Sequence, residues 1–341
     1  MSLTKSRISR RGALTVIGGA LAVPAFAGCQ SSSSTSGQTS ADGTPSADGF
    51  PVTIEHAQGR TKLTAAPTRV VTVGYTDHEL FLALGLRPVG VRPWFGEKID
   101  HTWPWVRDAW KGSTPTYIGG NELNFERIAS LRPDVIVGLY AEITDDEYTK
   151  LSAIAPTVAQ DADSAPYTTD RAAMFKTASR IVGRSDEAAR TLSAIDARFA
   201  AVRDDHPEFS GKTAAVVDPS QNSFYTFSST DPRGRFLADL GFAPPTRLNK
   251  IIGDKFGAEI SAEQADLLDL DRLLLLADAK TRRWLDRNEI YRKLAVVRER
   301  RALEIPYYEQ PYAGAAMAYN TVLSVPYALT HLVPKLADGQ S

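Results

Sequence analysis

Thiol chemistry is nearly missing from this chain: its 341 residues include one cysteine, Cys29. A single cysteine excludes an internal disulfide and leaves no Cys-x-x-Cys redox or zinc motif. Histidine is also scarce. His56, His78, His101, His206 and His331 are scattered, with no His-Glu-x-x-His pair to hold zinc. Nucleotide signatures are absent. Gly211-Lys212-Thr213 looks like the tail of a P-loop, but that motif needs a glycine where His206 stands. No Gly-x-Gly-x-x-Gly follows a strand pattern, and no Gly-x-Ser-x-Gly elbow presents a nucleophilic serine. Carboxylates are plentiful but fall on helix-patterned faces without a distinguished pair. These absences weigh against an enzyme. A surplus of positive charge is missing too. The formal net charge is -1, and no basic stripe with interleaved aromatics suggests a nucleic-acid partner.

What is present is ordinary for a soluble globular protein: 43% apolar and 23% charged residues, in a length that suits two domains. The N-terminus reads as an address. Lys5, Arg7, Arg10 and Arg11 precede an apolar run from Ala13 to Gly28, which is short for a membrane span. A basic region, an apolar region and small residues before a break make a signal peptide over residues 1–28. Ser9-Arg10-Arg11-Gly12-Ala13-Leu14 resembles a twin-arginine export motif. Phe26-Ala27-Gly28-Cys29 resembles a bacterial lipobox, which makes Cys29 the lipidation site, with Phe26 departing from the usual leucine. Residues 29–49 are mostly Ser, Thr, Gly, Gln, Ala, Asp and Pro and read as a flexible tether. Removing residues 1–28 leaves 35 basic and 40 acidic residues, a formal net of -5. A lipid plus a tether holds a protein on the outer side of a membrane without spanning it.

From Pro51 onward, strand and helix patterns alternate. The expected strands of a first lobe, residues 50–184, are 69–74, 88–92, 116–120, 135–140 and 156–160. Helical patterns fall at 78–84, 124–131, 144–153 and 169–182. After residue 207 the theme returns in a second lobe, 208–341. Strands are expected at 213–218, 224–227, 273–278 and 303–308, and helices at 233–240, 262–268, 288–297 and 314–336, the last bent at Pro326. Short β-branched runs alternating with helices predict a mainly parallel α/β architecture. Between the lobes lies Ser185–His206, where Leu192, Ile195, Phe199 and Val202 recur at steps of three and four. Ser185 is the expected cap, Asp186 and Glu187 suit the positive end of the helix dipole, and Pro207 ends the run. About 20 residues at ~1.5 Å each make a rod of roughly 30 Å.

Several segments carry a family resemblance. Pro51-Val-Thr-Ile-Glu-His, Ala66-Pro-Thr-Arg-Val-Val-Thr-Val-Gly and Leu82-Ala-Leu-Gly-Leu-Arg-Pro-Val-Gly-Val open it. Asn124-Phe-Glu-Arg-Ile-Ala-Ser-Leu-Arg-Pro-Asp-Val-Ile-Val, Leu151-Ser-Ala-Ile-Ala-Pro-Thr-Val, Pro232-Arg-Gly-Arg-Phe-Leu-Ala-Asp-Leu-Gly-Phe and Leu323-Ser-Val-Pro-Tyr-Ala-Leu continue it. In order and spacing the chain resembles class III solute-binding proteins of ABC importers for ferric siderophores, heme and cobalamin. The resemblance covers nearly all of residues 51–337. It implies two mainly parallel α/β lobes joined by one long interlobe helix, with the ligand in the cleft between them. It implies a ferric siderophore as ligand, an ABC permease as partner, no cofactor, and a monomer held to the membrane by its lipid. Heme or cobalamin remains an alternative ligand. An exported enzyme and a lipid-anchored interaction module remain alternative classes.

Candidate ligand-binding residues follow from strand ends and aromatics. Tyr75 follows the first strand, and Arg92, Trp94 and Phe95 the second. Four of the five tryptophans, Trp94, Trp103, Trp105 and Trp110, lie close together, as a binding wall for a large ligand would. The alternative is a local aromatic core with Pro93 and Pro104. Tyr140 closes the fourth strand, and the matching region of some hydroxamate-siderophore relatives carries a ligand-contacting tyrosine. In the second lobe, Gln221 and Tyr225 lie on a hairpin-like segment. Arg233 stands at a helix start where the dipole disfavours a cation, which suggests a job on an anionic ferric complex. Trp284, Tyr307 and Tyr308 complete the aromatics, and Tyr308 is the one chosen for the ligand. Glu126 and Glu263 hold matching places in the two lobes. There the resemblance implies glutamates that dock on permease arginines.

Overall fold

The computed structural model describes residues 49–94, 101–219 and 223–338. The expected signal peptide, Cys29, the tether up to residue 48, Phe95 and Gln221 lie outside the described residues. Those from Gly49 onward form part of one compact unit.

The chain enters through an antiparallel hairpin of β1 (Val52–His56) and β2 (Gly59–Leu63), turning through Ala57 and Gln58. The first lobe is then built on four parallel strands in the order β4-β3-β5-β6. These are β3 (Val70–Thr72), β4 (Gly90–Val91), β5 (Val135–Val137) and β6 (Thr157–Val158). Every residue in them is buried, which is why each reads as an unbroken apolar or β-branched run. The strand expected at 116–120 is reduced to two isolated bridges, Tyr117 with Val91 and Gly119 with Leu123. Gly119 explains this. At φ +145° the chain turns so sharply that a Cβ there would fall 2.2 Å from the carbonyl of Glu122.

The second lobe is a five-stranded sheet in the order β11-β10-β7-β8-β9. Its strands are β7 (Ala214–Asp218), β8 (Phe224–Phe227), β9 (Gly257–Ile260), β10 (Arg272–Leu276) and β11 (Ala302–Ile305). β7, β10 and β11 are parallel, whereas β8 and β9 add an antiparallel edge. The helical pattern at 288–297 is broken at Leu294 into Glu289–Lys293 and Ala295–Arg298.

One helix, Ser185–Asp205, joins the lobes. Its start differs from expectation. Ser185 is already helical, and Arg184 holds the cap position without a side-chain capping bond. The preceding helix, Arg171–Val182, stops at Gly183 in the left-handed region, φ +69°. The chain has no extended residue before Ser185 from which a serine cap could act. Leu192, Ile195 and Phe199 are buried along one stripe of the crossing helix. Phe199 meets Phe236 of the second-lobe helix Pro232–Asp239 edge-on, with ring centroids 5.7 Å apart. Its ring also lies 5.2 Å from the guanidinium carbon of Arg171 in the first lobe. The helix is thus packed into both halves.

The C-terminal helix is two helices, Ala313–Tyr319 and Ser324–Asp338. The break is at Asn320, φ +46°, and not at Pro326. Pro326 sits in the first turn of the second helix, where a missing N–H leaves no bond unmade.

Candidate functional site

Strand ends place the site. In the first lobe the backbone ladder continues past β3 and β5, with Val73 donating to Val137 and Tyr75 to Tyr140. Tyr75 and Tyr140 therefore emerge side by side. The turn between them is fixed from beneath. The buried Asp77 carboxylate accepts the N–H groups of Leu139 at 2.6 Å and Tyr140 at 2.9 Å. Gly74 is required there, because a Cβ would lie 2.4 Å from Asp77 Oδ2. In the second lobe, Leu276 pairs with Ile305, so Asp278 and Tyr307 leave β10 and β11 at matching positions. Leu275 pairs with Val217, which puts Asp218 at the end of β7 beside them.

The two sets of strand ends face a cleft of about 470 Å³ between the lobes. Trp94, Tyr140 and Tyr167 border it from the first lobe, and Tyr225, Arg233 and Tyr308 are among its second-lobe walls. Five of the expected ligand residues are therefore brought together: Trp94, Tyr140, Tyr225, Arg233 and Tyr308. Three are set back. Tyr75 is buried behind Trp94, whose ring it meets edge-on at 6.1 Å. Arg92 lies under Tyr75, its guanidinium carbon 4.3 Å from the ring centroid. It donates to the carbonyls of Val73 at 3.3 Å and Asn121 at 2.8 Å, so it braces loops. Trp103 is buried against Trp105, centroids 4.8 Å apart, and edge-on to Tyr319 at 5.2 Å. Trp105 donates its indole N–H to Glu79, and Trp110 stacks on His78. The tryptophan-rich stretch is therefore mostly core, and Trp94 is its one member on the cleft. Trp284 packs on Phe224 at 5.3 Å, away from the cleft.

Arg233 does not stand as a lone cation at a helix start. Asp231 is the cap residue, and its carboxylate accepts the Arg233 backbone N–H at 2.9 Å and Nη1 at 2.9 and 3.0 Å. The guanidinium carbon lies 3.8 Å above the Phe227 ring, and Arg233 is 7% exposed. Burial lifts the Asp231 pKa while Arg233 draws it down. A buried pair of this kind is strongly coupled and neutral as a unit. The dipole objection to Arg233 is met by its own cap.

Sequence reasoning missed Tyr167, Phe256, Asp218 and Asp278, which also border the cleft. The two aspartates end strands that the sequence does reveal, and the rule that parallel sheets bind ligands at carboxyl ends could have found them. Tyr167 has no such signal. It holds φ +61° in an irregular segment, with its ring 5.7 Å from Tyr140 and 6.0 Å from Phe256 across the cleft. His78 is a core residue, stacked on Trp110 and edge-on to Tyr319; burial pushes its pKa down to about 3, so it stays neutral. Glu126 and Glu263 are exposed and outside the cleft lining, each in the first turn of a short helical segment, Phe125–Ser130 and Ala262–Leu268. Among the described residues, no group of three or more His, Cys, Asp or Glu side chains is arranged to hold a metal ion.

Comparison with known proteins agrees with this geometry. The chain is 27% identical over 318 residues to the probable siderophore-binding lipoprotein YfiY of Bacillus subtilis strain 168, covering 89% of this chain and 93% of that protein. It superposes on PiaA, an iron uptake ABC transporter substrate-binding protein of Streptococcus pneumoniae TIGR4, with a TM-score of 0.72 and 29% identity. That match covers 84% of this chain and 99% of PiaA. PiaA in complex with ferrichrome gives 0.71 and 28% over 84% of this chain and 98% of that one. A periplasmic solute-binding protein of Mycobacterium smegmatis gives 0.72 and 30%, over 84% and 98%. A family model described as periplasmic binding protein matches residues 70–306. The chain belongs to the periplasmic binding protein family.

Proposed function

We propose that this protein captures a ferric siderophore in the interlobe cleft, outside the cytoplasmic membrane, and delivers it to an ABC importer. The observation that carries this is a cleft of about 470 Å³ walled by aromatic rings of both lobes. A cleft with rings and a few polar groups suits an organic molecule, so iron would arrive already wrapped in a chelator. The siderophore named for YfiY and the ferrichrome bound by PiaA support the same reading.

The protein acts as a monomer tethered by lipid on Cys29 through residues 29–49, after loss of residues 1–28. Residues 50–184 and 208–341 are its lobes, joined through 185–207. Glu126 and Glu263 dock on the permease, one from each lobe, and set register through charge complementarity. Reversal of both to arginine is expected to abolish uptake and leave ligand binding intact; unchanged uptake would sink the docking role.

Tryptophan fluorescence tests the capture. Trp94 borders the cleft, so a ferric siderophore is expected to quench emission saturably. A shift of the heme Soret band with no siderophore response would replace the siderophore by heme. Silence across ferric siderophores, heme and cobalamin would remove the binding function.

A further inference from the structure

The second lobe carries its positive charge on one side. Successive residues of β10 divide its sheet between two cores. Leu274 and Leu276 face the core that also holds Phe199 of the crossing helix, whereas Leu273 and Leu275 face a second core. The chain between β10 and β11 covers that second face, and buries Leu285, Tyr291, Leu294 and Val296 into it. What it leaves outside is cationic. Residues 279–301 carry nine Lys and Arg against three carboxylates, Asp286, Glu289 and Glu299. Two of those carboxylates serve cations of the same layer: Glu289 lies 3.8 Å from Lys293, and Glu299 2.9 Å from Arg301. Arg282 is held by Glu304 and Glu309 at 3.0 and 3.1 Å. The other six, Lys280, Arg283, Arg287, Arg292, Arg298 and Arg300, are exposed and form no ion pair with a described carboxylate. The mature chain has 35 basic and 40 acidic residues, so 26 basic and 37 acidic residues lie outside this layer. A weakly acidic protein is thus polarised, with its positive pole on the face of the second sheet turned away from the crossing helix.

We propose that this layer is a docking face for the anionic headgroups of the membrane to which the protein is anchored. This rests on the lipid anchor at Cys29 proposed above. The aromatics of the layer, Trp284 and Tyr291, turn inward on Phe224 at 5.3 and 6.4 Å, so no ring is left to stack on a nucleic-acid base. A protein partner would be gripped through aromatic and apolar anchors. The large apolar side chains exposed among the described residues are Ile251 and Tyr308, and neither belongs to the layer. Phosphodiester headgroups ask only for positive charge at the surface. Each Lys or Arg adds to that attraction within a Debye length, about 10 Å at 0.1 M salt. Gly49 lies 20 residues after Cys29, which keeps the folded part within at most about 70 Å of its lipid. Tethered so close, even a weak surface attraction orients the molecule. Asp269, at the end of the segment Ala262–Leu268 that carries Glu263, accepts the N–H groups of Ala295 at 3.0 Å and Val296 at 2.6 Å. The proposed permease contact of the second lobe is thereby tied to the layer that rests on the membrane.

Vesicle sedimentation of the mature chain, made without lipid through Cys29→Ser, tests the docking face. The vesicles are phosphatidylcholine alone, and phosphatidylcholine with about one third phosphatidylglycerol. The protein is expected to bind the anionic vesicles about tenfold more tightly than the neutral ones, and to lose the preference near 1 M salt, where the Debye length is about 3 Å. Arg292→Gln with Arg298→Gln and Arg300→Gly is expected to weaken binding to anionic vesicles about tenfold. Arg300 holds φ +57°, which glycine adopts without strain, so this variant is expected to melt close to the native protein. Arg60→Gln with Lys62→Gln and Arg127→Gln removes the same charge from exposed positions of the first lobe, and is expected to leave binding within about twofold. Equal losses in the two variants would show that net charge alone matters, and equal binding of the native chain to both vesicles would show no anionic preference; either overturns the inference. Impaired siderophore uptake by cells carrying the Arg292 variant, with no vesicle binding by the native chain, would assign the layer to a protein partner and overturn it as well. Absence of fatty-acid label on Cys29 in cells would sink the anchor alone, because the vesicle measurement uses the unlipidated chain.

Discussion

Glu79 shows how one side chain couples stability to pH. It is fully buried on the first-lobe helix Asp77–Ala83. The Trp105 indole N–H donates to its Oε1 at 2.9 Å, and the hydroxyl of Thr321, from the second lobe's end, donates to Oε2. Burial outweighs these bonds and raises its pKa from 4.5 to about 7. The folded state therefore holds the proton more tightly than the unfolded chain does. Stability from this group is complete below the unfolded pKa, and is lost as pH rises through the window from about 4.5 to about 7. Asp77, raised to about 7 by the same burial, acts in the same direction. Melting temperature is expected to fall between pH 5 and pH 8. Glu79→Gln should remove its share, on the order of 3 kcal/mol across the window. Melts of the two proteins with the same pH slope would refute the assignment. Arg233 teaches the companion lesson about single residues. Its odd place at a helix start is visible in sequence, but its partner Asp231 also reads as an ordinary cap, so the neutral pair emerges only from side-chain geometry.

At the scale of elements, the crossing helix Ser185–Asp205 holds the lobes through few residues. Phe199 touches Phe236 on one side and Arg171 on the other, so Phe199→Ala would open a cavity where both lobes meet. The expected loss is about 3–5 kcal/mol in chemical denaturation. Arg198→Ala, one residue away and exposed, should stay within about 0.5 kcal/mol. A Phe199→Ala cost no larger than that of Arg198→Ala would show that the helix does not bind the halves together. This helix was legible because its apolar stripe is local, repeating at three and four residues. The parallel strands β3, β5, β7 and β10 were legible because strands buried on both faces are apolar without interruption. Other elements depend on distant partners and left no such trace. The break at Asn320 is held by Arg171 from 149 residues away, whose Nη1 donates to Asn320 Oδ1 at 2.6 Å. Pro326 is the louder local signal, and it misleads because proline is harmless in a first turn. β9 is short, pairs only with β8 and begins at a glycine, so no alternating pattern announces it. Trp103 and Tyr75 read as ligand residues because strand-end position and aromatic density are visible in sequence, whereas which ring stands in front of which is not.

For the whole molecule, the question is how far the lobes move on binding. A helix resists bending more than extended linkers do, and here polar ties reinforce it. Arg171, on a first-lobe helix, donates to Asp239 of the second lobe at 2.9 Å as well as to Asn320. Asn320 in turn donates to the Pro232 carbonyl at 2.9 Å, at the start of the helix that carries Arg233. Arg235 donates across to the Thr168 carbonyl at 2.8 Å, next to Tyr167 on the cleft wall. Hinge rotation would strain the Arg171 and Arg235 bonds together, and their donors are charged, which makes each costly to break. A large closure is therefore opposed at the points where the cleft walls are anchored. A compact chain of this size has a radius of gyration of about 20 Å, and saturation with a ferric siderophore is expected to change it by less than about 0.5 Å in X-ray scattering. Removing the ties in Arg171→Met with Arg235→Met should widen the scattering difference between free and bound protein and loosen binding, while Phe199 keeps the lobes attached. A fall of several ångströms in the native protein on ligand addition would mean that the crossing helix bends as a hinge despite the ties, and that the cleft described here is one of two states.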